Sequence, residues 1–269
     1  MRMTQRNCSI LYRYLPALAL SGFAMLLVPP VMADSHAENS PVTIEASDFL
    51  EWNQSKGTYI AKGEAYIVQA DADIRAEHII ATYNPDSAAR DLTRVIATGD
   101  VLYNNGENSA VGEKLDYDIQ ASIYILTGKN ARAAGPKGEM TATQSIKFDE
   151  KDINKRVVTA VGKARYKNQD GRVIFGDKLV ALLDENGTLI TIDAYDNSKV
   201  ITEQGTTATA DQINYIADTS LATLTGDVEI NDREGNIMRG ARAEIDFDKD
   251  ISRMLSGTSG KRVSGVLKP

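Results

Sequence analysis

A Leu or Ile recurs seven times along the chain at intervals of about 33 residues, each time two positions before an aromatic residue or alanine. The pairs are Leu50/Trp52, Ile79/Ala81, Leu115/Tyr117, Ile146/Phe148, Leu179/Ala181, Ile213/Tyr215 and Ile245/Phe247. A unit this short cannot bury its own apolar face, so such units stack into one elongated, quasi-one-dimensional body. A glycine inside a short alternating run marks most units a second time, at Gly63, Gly99, Gly128, Gly162 and Gly226. The fifth unit has Asn197 where glycine is expected, and the seventh has Gly257. Each unit therefore reads as two short strands joined by a turn, roughly fourteen to seventeen strands in all.

The strand reading rests on period two. In Leu224-Thr225-Gly226-Asp227-Val228-Glu229-Ile230 the apolar residues share parity with Gly226, while Thr225, Asp227 and Glu229 take the other face. No helical periodicity is sustained after residue 33, and β-branched and aromatic residues dominate the alternating runs, which makes the chain all-β. One wet face per strand argues against a buried parallel sheet. Asn104-Asn105-Gly106, Gln169-Asp170-Gly171, Glu185-Asn186-Gly187 and Arg233-Glu234-Gly235-Asn236 supply residues that tolerate the positive φ of tight reversals. A glycine within a strand marks either a bulge that curls the sheet or a close backbone approach to a ligand.

Residues 1–33 read as an export signal: Arg2, Arg6 and Arg13 precede an apolar run from Leu15 to Val28, followed by Val31-Met32-Ala33 as a cleavage site. That run is shorter than the roughly 20 residues that span a bilayer, and a retained anchor is the alternative. Residues 34–269 are expected to form a single domain, since no Pro-rich or Gly/Ser-rich linker interrupts the repeat. The single cysteine, Cys8, precedes the apolar run, so disulfides and thiol chemistry play no part in the mature protein. Removing Arg2, Arg6 and Arg13 from the 30 basic residues leaves 27 against 37 acidic ones, and nucleic acid is not an expected partner.

Chemistry-bearing constellations are sparse. His36 and His78 cannot build a metal site of ordinary spacing, and no phosphate-cradling loop precedes a helix; no cofactor is expected. Three acid pairs, Asp71/Asp73, Asp116/Asp118 and Asp246/Asp248, invite comparison with glycan-cleaving carboxylates, but their recurrence with the repeat points to solvated turn acids.

The seven-unit pattern, with Ile44-Glu45-Ala46-Ser47-Asp48 before it and Leu224-Thr225-Gly226-Asp227-Val228 through Ala243-Glu244-Ile245-Asp246-Phe247 to Gly260-Lys261-Arg262-Val263 at its end, resembles the OstA-like family. The resemblance implies a twisted, open β-jellyroll of two facing sheets with an apolar groove between them. It also implies carriage of lipopolysaccharide, held by its lipid A portion, across the periplasm from an inner-membrane complex to an outer-membrane translocon. An LptC-like protein would meet the N-terminal edge, and an LptD-like protein or a further copy, head to tail, the C-terminal edge.

A groove of this kind has a physical rationale, because each exposed methylene costs about 0.8 kcal/mol and a chain of about twelve carbons on the order of 9 kcal/mol. By parity, Val42, Ile44, Leu50, Ile79, Val101 and Leu115 are expected to line it in the first half, and Leu179, Ile213, Val228, Ile230 and Ile245 in the second. Trp52, Tyr117, Phe148, Tyr215 and Phe247 would be its larger wall residues. An LptC-like inner-membrane protein, a glycan-active enzyme and a ligand-free structural filament are the competing readings.

Overall fold

The computed structural model describes residues 41–87, 90–152, 154–256 and 262–268. The chain first forms β1 (Thr43–Glu45), β2 (Phe49–Asn53), β3 (Thr58–Gln69), β4 (Ala72–Tyr83), β5 (Leu92–Asn105) and β6 (Asn108–Asp118). Four short strands follow: β7 (Ile123–Thr127), β8 (Ala131–Gly135), β9 (Gly138–Ala142) and β10 (Ser145–Asp149). The remainder is β11 (Arg156–Asn168), β12 (Val173–Leu183), β13 (Leu189–Ile201), β14 (Thr207–Ile216), β15 (Leu221–Asn231), β16 (Ile237–Asp246), β17 (Ile251–Leu255) and β18 (Ser264–Val266). Every pairing among the described strands is antiparallel. The all-β expectation holds, and the glycines explain the shape.

Five of the long strands, β3, β5, β11, β13 and β15, bend where two successive residues adopt positive φ and the ladder slips. In β3 these are Gly63 (φ 80°) and Glu64 (φ 41°), in β5 Gly99 and Asp100, in β11 Gly162 and Lys163, in β15 Gly226 and Asp227. Before the bend β3 pairs with β2, and after it with β1, so the two halves of a strand belong to two sheets. The extra residues are bulges that turn a corner. A side chain at Gly226 would also run into the Asp211 carboxylate on β14, so both conformation and space require glycine there. In the fifth unit the bend falls on Asp196 (φ 57°) and Asn197 (φ 50°). The glycine position is thus filled by Asp196, one residue earlier than the sequence suggested, and Asn197 is the second bend residue, its Nδ2 donating to Asp177 Oδ2 at 2.7 Å. Aspartate and asparagine tolerate this conformation better than other side chains do. Gly128 leaves the ladder altogether, between β7 and β8; Gly257 lies outside the described residues.

The strand count now resolves. β1 with β2, β7 with β8, β9 with β10 and β17 with β18 are each one bent strand interrupted at its corner, so the eighteen strands amount to two bent ones per sequence unit. Among the described residues the ladder does not close. β1 and β2 pair only with β3, and β17 and β18 only with β16.

One row of side chains can be followed from edge to edge through directly paired residues. It runs Leu50, Ala61, Ile79, Ala97, Leu115, Leu126, Ile146, Ala160, Leu179, Ala194, Ile213, Leu224, Ala243, Met254. Large and small residues largely alternate, which lets neighbouring strands interdigitate against the opposite sheet. The row also corrects the seventh unit: Ala243 and Ile245, not Ile245 and Phe247, stand where Ile213 and Tyr215 stand in the sixth. A single apolar core joins both sheets, and it is an open β-jellyroll by connection and packing.

Candidate functional site

The two sheets meet along the line of corners, where side chains are small: Ala65 faces Ala76 along the ladder, Val101 faces Gly112, Ala164 faces Gly176 and Val228 faces Gly240. Away from that line two inner rows confront each other. One sheet presents Ile67, Ile74, Tyr103, Ala110, Ala133, Met140, Tyr166 and Ile174 in register. The other presents Tyr59, Ala81, Val95, Tyr117, Tyr124, Phe148, Val158, Ala181, Ile192 and Tyr215.

Between them, at the short strands β7–β10, lies a cavity of about 280 Å³. Tyr103, Ala110, Met140 and Tyr166 line it from one sheet, and Leu115, Tyr124, Leu126, Phe148 and Val158 from the other. Tyr103 and Tyr124 approach across it with ring centroids 6.0 Å apart, and Tyr124 stacks on Tyr117 at 4.0 Å. A second cavity of about 300 Å³ adjoins it, sharing Lys137, Tyr166 and Leu189 and lined further by Arg172, Ile174 and Tyr215. These volumes lie at or just below the lower limit of the roughly 300–1,000 Å³ usual for ligand pockets.

The phenols on this wall are held neutral. Burial pushes Tyr103 and Tyr124 above the ordinary tyrosine range, and burial, with Tyr215 nearby, pushes Tyr166 up to about 12. These phenols are therefore neutral at physiological pH, as contact with hydrocarbon requires, and the charged groups of the lining are Lys137, Glu139, Glu150 and Arg156.

The residues expected to line a groove fall into three groups. Leu115 and Phe148 line the main cavity, Tyr215 the second, and Tyr117 backs Tyr124. Ile79, Val101, Leu179, Ile213, Val228, Ile230 and Ile245 face inward but are enclosed by packing, Leu179 and Val101 completely. The first five stand at or next to the corner line, where the sheets touch; Ile230 and Ile245 lie one step out in the inner rows, Ile230 paired with Ala208 and Met238 and Ile245 with Ala222. Val42, Leu50 and Trp52 are exposed and Ile44 half-buried, because all four sit at the N-terminal edge, where no further strand among the described residues covers them. Trp52 stacks on Tyr59 at 5.6 Å and its Nε1 donates to Tyr83 Oη at 2.8 Å. Phe247 follows β16 and packs half-buried near Tyr215, ring centroids 5.7 Å apart.

Sequence reasoning missed Tyr103, Tyr124, Met140, Tyr166 and Arg172. Parity would have found several: Tyr124 alternates with Leu126, Tyr166 with Ala164 and Arg172 with Ile174. The acid pairs are occupied elsewhere. Asp116 accepts both Arg94 Nε at 2.8 Å and Nη2 at 2.7 Å, and Arg94 holds its carboxyl below the usual range. Asp246 pairs with Lys249 at 2.7 Å, and Asp73 lies 3.4 Å from Arg75. Among the described residues no group of three His, Cys, Asp or Glu side chains is arranged to hold a metal ion, and no helix is long and apolar enough to cross a membrane.

An unclosed two-sheet ladder with an apolar inner face and a cavity at its middle defines a groove-bearing β-jellyroll. Residues 43–152 and 144–251 each match the family model described as LptA/(LptD N-terminal domain) LPS transport protein, and the chain belongs to that family. The two matches overlap around β10. Among solved structures the chain is similar to LptH, the LptA homologous periplasmic component of the lipopolysaccharide transport device from Pseudomonas aeruginosa. Identity is 14%, covering 87% of this chain and 99% of that one, with a TM-score of 0.24. No curated protein matches by sequence.

Proposed function

We propose that this protein is a periplasmic carrier that takes lipopolysaccharide by its acyl chains into the groove and passes it along the repeats from an inner-membrane complex toward the outer membrane. The observation that carries this reading is the cavity between the two inner faces, placed where the two family matches overlap. Hydrocarbon there exchanges water for Leu115, Leu126, Met140, Phe148 and Val158. The cavity shelters part of a many-chained lipid, and fuller uptake requires the two sheets to part along their mouth while the packed corner line holds.

In this reading residues 1–33 are the export signal and residues 34–269 the working domain. The free edges do the docking. β1 and β2 offer an unpaired ladder edge beside exposed Phe49, Leu50 and Trp52, which suits strand addition by an LptC-like protein. β17 and β18 offer the opposite edge, with exposed Ile251 and Val266, to an LptD-like protein or to the first edge of another copy.

A photo-crosslinking residue at Phe148, on the cavity wall, should capture lipopolysaccharide in cells, and one at the outward Lys147 should not. Failure at Phe148, Tyr124 and Met140 alike, in protein that is produced and exported, overturns the carrier reading.

A further inference from the structure

Arg172 is the most deeply buried cation among the described residues, with its side chain 9% exposed. It immediately precedes β12, at the inward parity of Ile174, and crosses the mouth of the groove to the other sheet. There its Nη1 donates to Tyr215 Oη at 2.6 Å, and its guanidinium covers the Phe247 ring at 4.1 Å. These contacts use one edge and one face of the guanidinium plane. The Nε/Nη2 edge is left over: Nε is buried without a hydrogen-bond partner, and Nη2 lies 3.9 Å from Glu203 Oε1, an ion pair too long to be a hydrogen bond. A buried guanidinium is costly unless its donors are satisfied. Once Glu203 and the packing over Nε are displaced, this edge is the two-pronged fork that matches two oxygens of a phosphate.

The surroundings select the ligand. Arg172 lines the second cavity with Lys137, and the adjoining cavity holds Arg156, whose Nε is likewise buried without a partner. Of the nearby acids, Asp170 accepts a hydrogen bond from Asn168 at 3.0 Å, Glu150 stands 3.9 Å from Arg156, Glu139 pairs with Arg132 at 2.7 Å, and Glu203, with its side chain 42% exposed, is the acid that faces the fork. An apolar cavity with a cationic fork at its mouth fits an amphiphile whose chains enter and whose anionic head stays at the rim. We infer that the Nε/Nη2 edge of Arg172 binds a phosphate monoester on the head group of the lipid whose acyl chains occupy the central cavity. The inference rests on the carrier reading above and adds the head-group site to it.

The test compares the full chain with Arg172→Gln and Arg172→Lys, each first shown to melt cooperatively. Binding is measured to an acylated disaccharide lipid bearing two phosphates, to the same lipid with its phosphates removed, and to inorganic phosphate alone. The wild type should favour the phosphorylated lipid by about tenfold, on the scale of one charge-assisted hydrogen bond. Arg172→Gln should bring that ratio close to one, and Arg172→Lys, which keeps the charge but not the fork, should leave an intermediate ratio. A purely structural clasp would weaken both lipids equally and leave the ratio alone, which overturns the site. Arg172-dependent stabilisation by inorganic phosphate, without any preference between the lipids, overturns the head-group assignment in favour of a free anion. If lipid binds with no phosphate preference and inorganic phosphate has no effect, the site fails alone; if neither lipid binds, the carrier reading fails with it.

Discussion

The two stretches that match the family model share a backbone plan and differ in how their inner rows are filled. In the first, Tyr117 and Tyr124, with Phe148 in the overlap, stand half-buried beside the cavity, and four interrupted strands replace two continuous ones. In the second, Ile192 and Ala222 are fully enclosed, Ile245 nearly so, and Arg172 reaches across to Tyr215. Stacked rings leave space beside their flat faces, whereas branched aliphatics interlock and leave none. The corners set the fold; the residue placed one step out from them decides whether the lane is open or shut.

The contrast is easiest to break at its closed end. Ile192→Ala should cost about 2–5 kcal/mol in urea unfolding, because the enclosed site cannot collapse onto the gap. Phe148→Ala, at the cavity wall, should cost less than half of that. Equal losses would mean that both halves pack alike. The next effect concerns the corners, where Gly226→Asp should cost roughly 1–3 kcal/mol through strained backbone and the neighbouring Asp211, while Asp196→Gly should change stability by less than about 1 kcal/mol.

Tyrosine ionisation probes the cavity wall, to which both stretches contribute, more gently. The folded values of Tyr103, Tyr124 and Tyr166 are raised, so their contribution is complete below the ordinary tyrosine value of 10.0 and is lost as pH climbs through the folded values, about 12 for Tyr166. Unfolding midpoints measured from pH 9 to 12 should therefore fall, and the triple Phe variant should flatten the curve. The smallest effect belongs to the outer face. Asp116 has a lowered folded value, so its contribution is present above pH 3.8, its ordinary value, and fades as pH falls through the folded one. Asp116→Asn should move the neutral-pH midpoint least of all, since the Arg94 partner is largely exposed.

Period-two alternation and recurring glycines made the two-strands-per-unit plan legible before any coordinates, because both are imposed by local geometry. The seventh unit was misplaced by two residues, since Ile245 satisfies the large-apolar pattern while the structural equivalent of Ile213 is Ala243, a position where the ladder needs only a small residue opposite Leu224. Asn197 misled by one residue for a related reason: two successive residues bend, and sequence marks the pair without ranking its members. The site was less legible. Facing follows from parity, but accessibility depends on what fills the neighbouring positions and the opposite sheet: Ile192 and Phe148 occupy the same inner row with opposite fates. Arg172 escaped notice because a charged residue after a turn ordinarily belongs to solvent.

Among the described residues the ladder ends in two unlike rims, and neither is paired on its outer side. A body of this kind carries no ruler: if one rim accepts the other, each addition recreates the same invitation, and nothing inside the molecule says when to stop. Any definite span must then be fixed from outside, by caps that resemble a rim on one side only and by the distance between the surfaces that bear them.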